Sequence, residues 1–427
     1  MKKSKIYFVA LDGAADHKIS ELGNKTPLEA ANTKYLDQIV HKGQMSLINI
    51  LSNGLSPETD SGIMALLGYE PEKYYCGRGI LECLGLETYK QYRYFTGFRI
   101  NFASIDYEKG RLDRRTARDI SSEELQSFTE EIIKRISLER FKDVHFELKT
   151  FGKYRGILTF YSNSQKFSGN VSNTDPGFNK YGNFGIPVKK YEMKVKKCVP
   201  FDDTCEALVT ASIVNDFTEQ CAKILKESSL NLSRIKKGKM PVNCVLIRDG
   251  GKLPEEYPLF YDKYSLNLSI YGQLPCEKAM SELIGGKFYY TRAFELQLDG
   301  NYLSELAEKL KKDEADVIFC HLKGPDEPGH DDKPFEKKRA IEVIDENFFS
   351  RLWDADSNNI YIVSCDHATP CELGMHSKDP VPLVIAGEKI VPDNTTHFDE
   401  NNALLGKCPV DRAVDILDYI VTEKFNV

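Results

Sequence analysis

Three apolar runs in this chain end in acids and histidines. "IYFVAL" leads into Asp12-Gly13, with Asp16 just beyond. "VIFCHL" leads into Lys323-Gly324-Pro325-Asp326-Glu327-Pro328-Gly329-His330. "YIVSC" leads into Asp366-His367, and "ELGMHSKDPVP" then supplies His376. Neutral imidazole and carboxylate together suit a divalent ion such as Zn²⁺ or Mn²⁺. Taken singly, an Asp or His after a strand is usually a turn former or a surface residue. Gathered in three strand-end loops, they point to a metal centre. Two ligand sets imply two ions, an arrangement that clamps the attacking and leaving oxygens of a phosphoryl group.

The stretch "LSPETDSG" (55–62) places two hydroxyls, Thr59 and Ser61, around Asp60, ahead of the apolar "IMALLGYEP". One reading makes Thr59 or Ser61 the N-cap of a helix. The other makes one of them a nucleophile. A hydroxyl needs a base or a metal to become one, and a helix N-terminus favours a phosphate beside it. Local sequence leaves open which hydroxyl reacts. Arginines suited to anionic oxygens lie in the middle of the chain: Arg111, Arg114, Arg115 and Arg118 in "RLDRRTARD", and Arg99, Arg155 and Arg248. Guanidinium binds carboxylate and phosphate in a bidentate fashion. For Arg111 a solvated charged face is the preferred reading. "GRG" (77–79) and "GGK" (250–252) are too short to define phosphate loops.

The elements that must position these residues read as α/β. "KIYFVAL" (5–11), "ADVIFCHL" (315–322), "NIYIVSC" (359–365) and "VPLVIAG" (381–387) are strands. "TPLEAANTKYLDQIVHKG" reads as one helix, with Thr26 as N-cap, Pro27 at the first position, Glu29 completing a capping box and Gly43 as C-cap. "FEKKRAIEVIDENFFSRLW" has helical periodicity. Strand, helix, strand in this order implies right-handed crossovers and a mostly parallel sheet. Ligands of such sheets bind at the carboxyl ends of the strands, where the acids and histidines lie. Residues 88–255 are richer in charge, Tyr and Phe, with half-exposed strand candidates. They are expected to form an inserted α+β domain, leaving 1–87 and 256–427 as the core. A length of 427 residues accommodates both.

A net charge of −7 argues against nucleic acid as a partner, and no stretch approaches a membrane span. The apolar run near the N-terminus is too short for a signal core. The eleven cysteines never form C-x-x-C, which suggests reduced thiols and a cytoplasmic protein, a monomer or small homo-oligomer.

Taken in order, "DGAAD", "KTPLEAANTKYLD", "ALLGYEP", "GRGILECLG", "FRINFA", "DRRTAR", "NTDP", "PVNCVLIRDGG", "HLKGPDEPGHD", "SCDHATPCELGMHSKDPVPLVIAG" and "FDENNALLG" cover nearly the whole chain. Together they resemble the archaeal-type cofactor-independent phosphoglycerate mutases of the alkaline phosphatase superfamily. The resemblance implies a three-layer α/β/α core and two divalent ions, Mn²⁺ or Zn²⁺ with Mg²⁺ or Co²⁺ as alternatives, and no 2,3-bisphosphoglycerate. Asp12, the nucleophile, Asp366 and His367 would hold one ion; Asp326, His330 and His376 would hold the other. It aligns Thr59 with the family's serine. It also implies that Lys278 and Arg155 act on the phosphoryl group, and that Arg99, Asp113, Arg114, Arg115, Arg118 and Arg248 bind a small phosphorylated substrate. The expected reaction interconverts 3-phosphoglycerate and 2-phosphoglycerate through a phosphothreonine.

Several positions depart from the family pattern: Glu58-Thr59-Asp60 for Gly-Ser-Asp, Tyr154-Arg155 for His-Arg, Asn173-Thr174-Asp175-Pro176 for Asp-Thr-Asp-Pro, and Gly324-Pro325-Asp326 for Gly-Thr-Asp. They keep two alternatives in view: a phosphatase, phosphodiesterase or other phosphomutase using Thr59, and an inactive binding protein retaining structural metals.

Overall fold

The computed structural model describes residues 4–52, 54–88, 92–106, 108–116, 119–151, 154–188, 190–254, 256–292, 299–387 and 389–424. Arg118 lies outside the described residues. The chain divides into two compact units, Met1–Tyr74 with Glu256–Val427, and Tyr75–Glu255.

In chain order, the first unit opens with β1 (Ile6–Leu11) and β2 (Gly43–Ile48). The second unit contains β3 (Tyr94–Asp106), β4 (Arg111–Asp113), β5 (His145–Phe151), β6 (Arg155–Ser162), β7 (Phe178–Tyr181), β8 (Phe184–Pro187) and β9 (Cys244–Arg248). The first unit then resumes with β10 (Leu268–Gly272), β11 (Lys287–Tyr290), β12 (Val317–Leu322), β13 (Ile360–Cys365) and β14 (Val381–Ala386).

The first unit is built on a seven-stranded sheet ordered β11-β10-β12-β1-β13-β14-β2. Its first five strands run parallel, and the β13–β14 and β14–β2 pairs are antiparallel. Every residue of β1, β10, β12, β13 and β14 is buried, the continuous apolar signature of strands covered on both faces. Register matters most here. Leu11 pairs with Leu322 on one side and with Cys365 on the other, so β12, β1 and β13 finish level. The residues that follow them emerge side by side.

The stretch expected as one helix over 26–43 is two, Pro27–Ala30 and Lys34–Val40, separated where Ala31 turns extended. The Thr26–Glu29 capping box is present. The second helix has its own start, because the buried Asp345 carboxylate accepts hydrogen bonds from the Tyr35 and Leu36 amides. Gly43 is not a C-cap. It begins β2, where an added Cβ would meet the Ile385 carbonyl oxygen at 2.6 Å, and His41 ends the helix. The periodic stretch near 335–353 folds as Pro334–Ile344, a π turn over Asp345–Phe349, and Ser350–Leu352.

The second unit has an antiparallel sheet ordered β4-β3-β6-β5, with β9 pairing β3 opposite β6, and a separate β7–β8 hairpin. Its core gathers Phe98 and Phe160 with Phe128 of the helix Ser122–Arg135 and Phe217 of the helix Cys205–Glu227. The helix Arg78–Gly85 also belongs to this unit, whereas the boundary read from sequence falls after it, at 87/88. Gly97 of β3 brings the two elements together: a Cβ there would meet Cys83 Sγ at 2.2 Å.

Candidate active site

The level ends of β12, β1 and β13 set Asp12, Asp366 and the loop bearing Asp326 next to one another. Gly13, with φ +56°, turns the chain after Asp12, and its N–H donates to Asp366 Oδ1 at 3.1 Å. A side chain at Gly13 would meet Asp326 Oδ1 at 2.7 Å. The glycine thus allows two acid-bearing loops to approach.

Three histidines are oriented by what their Nδ1 atoms bond. His330 Nδ1 donates to Gly374 O at 2.9 Å and His376 Nδ1 to Pro57 O at 3.1 Å. Thr369 Oγ1 donates to Asp326 Oδ1 at 2.6 Å, so it accepts from His367 Nδ1 at 3.0 Å. In each ring Nε2 is left facing inward, the arrangement seen when imidazole binds metal.

His330 Nε2 and His376 Nε2 are 3.1 Å apart, and each is 3.5 Å from an Asp326 oxygen. His367 Nε2 lies 3.5 Å from Asp12 Oδ1 and 3.2 Å from Asp366 Oδ2. Among the described residues, donor atoms come together in three groups: Asp326, His330 and His376; Asp12, Asp326 and His367; Asp12, His321 and Asp366. Asp12 Oδ1, Asp366 Oδ2 and His321 Nε2 are buried without hydrogen-bond partners. Buried lone pairs directed at one another are costly unless a cation lies between them. The residues present therefore fit divalent metal.

The acids and imidazoles also favour one another's charged forms. Burial works to protonate Asp326 and Asp366, but the neighbouring histidines hold both well below the usual carboxylate range, His376 foremost for Asp326 and His367 for Asp366. Burial pushes His376 down, yet Glu58 and Asp326 carry it up to about 10. His321 is likewise raised well above its ordinary value, as Glu277 and Asp366 overcome burial and the nearby Lys323.

Thr59 is the first residue of the helix Thr59–Leu66; it is buried, and its Oγ1 lies 3.5 Å from His367 Nε2. Neither hydroxyl is the N-cap, one of the two readings of this stretch. Glu58 holds that position because its backbone is extended, with φ −95° and ψ 162°. Ser61 Oγ is instead tied to the Glu58 backbone, accepting from its N–H and donating to its carbonyl, both at 3.0 Å. Gly62 lets this helix sit against the β13 loop, since a Cβ there would meet the Asp366 carbonyl oxygen at 2.3 Å.

The site also includes residues not singled out in the sequence. Lys323 Nζ donates to Asp12 Oδ2 at 2.7 Å. Thr369 links His367 to Asp326. His321 lies inside β12, and its Nδ1 bonds the buried Glu277. A histidine in an otherwise apolar central strand was the available signal. Asp16 belongs to none of the donor groups; Lys337 Nζ donates to it at 2.8 Å, and it accepts from the Cys371 amide. Lys278 lies on the helix Pro275–Leu283, 3.7 Å from Glu282.

The arginines of the second unit form their own cluster. Arg114 makes a two-pronged contact with Asp175, at 2.6 Å for both bonds, and stacks over Phe178. Arg99 and Arg248 are register partners across β3 and β9. Arg99 approaches Glu82 at 3.4 Å and Asp249 at 3.6 Å, and the buried Arg248 pairs with Asp249. Arg115 and Arg155 are exposed; Arg155 donates to Tyr154 Oη at 3.3 Å, and Asp113 accepts from the Arg115 amide. The departure at Asn173 has a local role, since its side chain accepts from the Asp249 amide.

Comparison with known proteins bears on this geometry. Residues 41–231 match the family profile described as 2,3-bisphosphoglycerate-independent phosphoglycerate mutase. The enzyme of that name from Aeropyrum pernix is 34% identical, with 94% of this chain and 95% of the relative covered. The chain belongs to this family. The Methanosphaera stadtmanae member is 32% identical over 99% of this chain and 98% of its own length. Among solved structures, a Pyrococcus horikoshii protein superposes with a TM-score of 0.75 at 25% identity, covering the whole of both chains. The cofactor-independent phosphoglycerate mutase of Thermoplasma acidophilum superposes at 0.61 with 24% identity, covering 97% and 98%, and so shares the fold.

Proposed function

We propose that this protein interconverts 3-phosphoglycerate and 2-phosphoglycerate without 2,3-bisphosphoglycerate, using Thr59 as the phosphoryl acceptor. The observation that carries this reading is the Thr59 hydroxyl, buried at a helix N-terminus and 3.5 Å from His367 in a cluster of unpartnered carboxylate and imidazole atoms. Ser61 is occupied with its own helix cap, which favours Thr59.

Asp12, Thr59, Asp366 and His367 would hold one divalent ion and Asp326, His330 and His376 the other. Mn²⁺ or Zn²⁺ suits this mix of imidazole and carboxylate. When bound, such ions polarise phosphoryl oxygens and favour the ionised hydroxyl. The residues supply the rest. Thr59 Oγ forms its bond to phosphorus as the bond to one glycerate oxygen breaks, and the Thr59 proton balances the one taken up by that oxygen. The helix amides face the transferred group. After the glycerate reorients, its other hydroxyl attacks the phosphothreonine and Thr59 leaves. We assign Arg99, Asp113, Arg114, Arg115, Arg118 and Arg248 to substrate binding, and Lys278 and Arg155 to the phosphoryl group. A cytoplasmic setting fits the eleven cysteines, ten of them buried and none in a C-x-x-C pair.

The test is an enolase-coupled assay in Mn²⁺ or Zn²⁺ without 2,3-bisphosphoglycerate. Turnover that disappears on chelation and returns with metal supports the reading. Release of inorganic phosphate with no isomerisation would replace it with a phosphatase.

A further inference from the structure

We propose that His321 is an additional metal ligand, and that Glu277 is the residue that positions it. The inference rests on the metal-centre reading above and extends its donor set.

His321 Nδ1 bonds Glu277 Oε1, so its Nε2 points the other way. That atom lies 3.6 Å from Asp12 Oδ1 and 3.5 Å from Asp366 Oδ2. The same two oxygens face His367 Nε2 at 3.5 and 3.2 Å. The two imidazoles thus approach one pair of carboxylate oxygens in the same manner. His321 Nε2, Asp12 Oδ1 and Asp366 Oδ2 are all buried and all without a hydrogen-bond partner.

The distances choose between two explanations. An imidazolium bonded to carboxylate sits at about 2.7–2.9 Å, and these contacts are too long for that. Donors bound to one ion at about 2.1 Å in a tetrahedral arrangement lie about 3.4 Å apart, close to the separations seen. His321 also shares the wiring of His330, His367 and His376, each with Nδ1 engaged and Nε2 turned inward.

Glu277 is held by the start of its own helix. It is the third residue of the helix Pro275–Leu283, and its Oε2 accepts from the Gln273 and Leu274 amides, both at 2.6 Å. Its other oxygen is left for His321. A carboxylate–imidazole pair of this kind fixes a ligand's tautomer and strengthens its lone pair.

Zn²⁺ titration by competition with a chromophoric chelator, and X-ray absorption of the Zn²⁺-loaded protein, test the assignment. Glu277→Gln leaves one acceptor oxygen where the carboxylate used two, so a donor NH2 faces either Nδ1 or the helix amides; it is expected to weaken one Zn²⁺ by about 10–100-fold, and His321→Asn should weaken it by at least as much. The absorption spectrum of the wild-type protein needs no variant, and should report the imidazoles of His321, His330, His367 and His376. An imidazole count matching only the last three, with Zn²⁺ affinity unchanged in both variants, overturns the role of His321 while leaving the metal centre intact. A wild-type protein that binds no Zn²⁺ overturns both.

Discussion

At the residue scale, the proposed reaction turns on which of two neighbouring hydroxyls is available. Thr59 faces His367, whereas Ser61 is bonded twice to the Glu58 backbone. Thr59→Ala is therefore expected to abolish isomerisation in the coupled assay with little loss of stability. Ser61→Ala should cost about 1 kcal/mol of stability, the usual worth of a cap, and leave Thr59 able to accept the phosphoryl group. Chemical denaturation and the assay, run on both variants, separate the two roles. The acids and histidines of the strand-end loops were legible because each follows an apolar run. His321 and Glu277 were not. One lies within a strand and the other starts a helix far away in sequence, and only the pairing of β10, β12 and β1 relates them.

At the element scale, parallel register does the positioning. Strands β12, β1 and β13 end together, so short loops suffice to gather the donors. The strands could be read from continuous apolar runs. The break after Ala30 could not, because it depends on Asp345, more than three hundred residues away, capping the Lys34–Val40 helix. Burial raises the Asp345 carboxyl to about 6; the amides it accepts from work against this, while Asp37 and Glu346 add to it. A folded-state value above the unfolded one means that the folded chain holds the proton longer. Its contribution is full at low pH and is lost as pH rises from about 4 to about 6. Wild-type stability relative to Asp345→Asn should accordingly fall across that window, by up to about 3 kcal/mol, and stay level above it. Urea unfolding of both proteins at several pH values checks the sign; a difference that grows with pH would contradict it.

At the scale of the whole molecule, each unit carries its own charged centre. The first gathers Asp12, Asp326 and Asp366 with histidines and Lys323; the second pairs Arg99, Arg114 and Arg248 with Glu82, Asp175 and Asp249. A ligand that binds only the folded state stabilises it, by about 2.7 kcal/mol at a hundred times its dissociation constant. Mn²⁺ or Zn²⁺ should raise the thermal midpoint by several degrees and EDTA should reverse the gain, as read by scanning calorimetry. An unchanged midpoint would argue against a metal centre at the ends of β1, β12 and β13. The α/β class and a separate central region were visible from the order and character of the runs. The extent of the second unit was less so, because the helix Arg78–Gly85 joins it through Gly97, a contact that no local pattern announces.

The most direct measurement is peptide mapping by mass spectrometry of the metal-loaded protein, acid-quenched during turnover of 3-phosphoglycerate. The account predicts a phosphoryl group on Thr59, absent after chelation and absent in Thr59→Ala. A phosphoryl group on Ser61, or isomerisation with no phosphorylated residue, would contradict it.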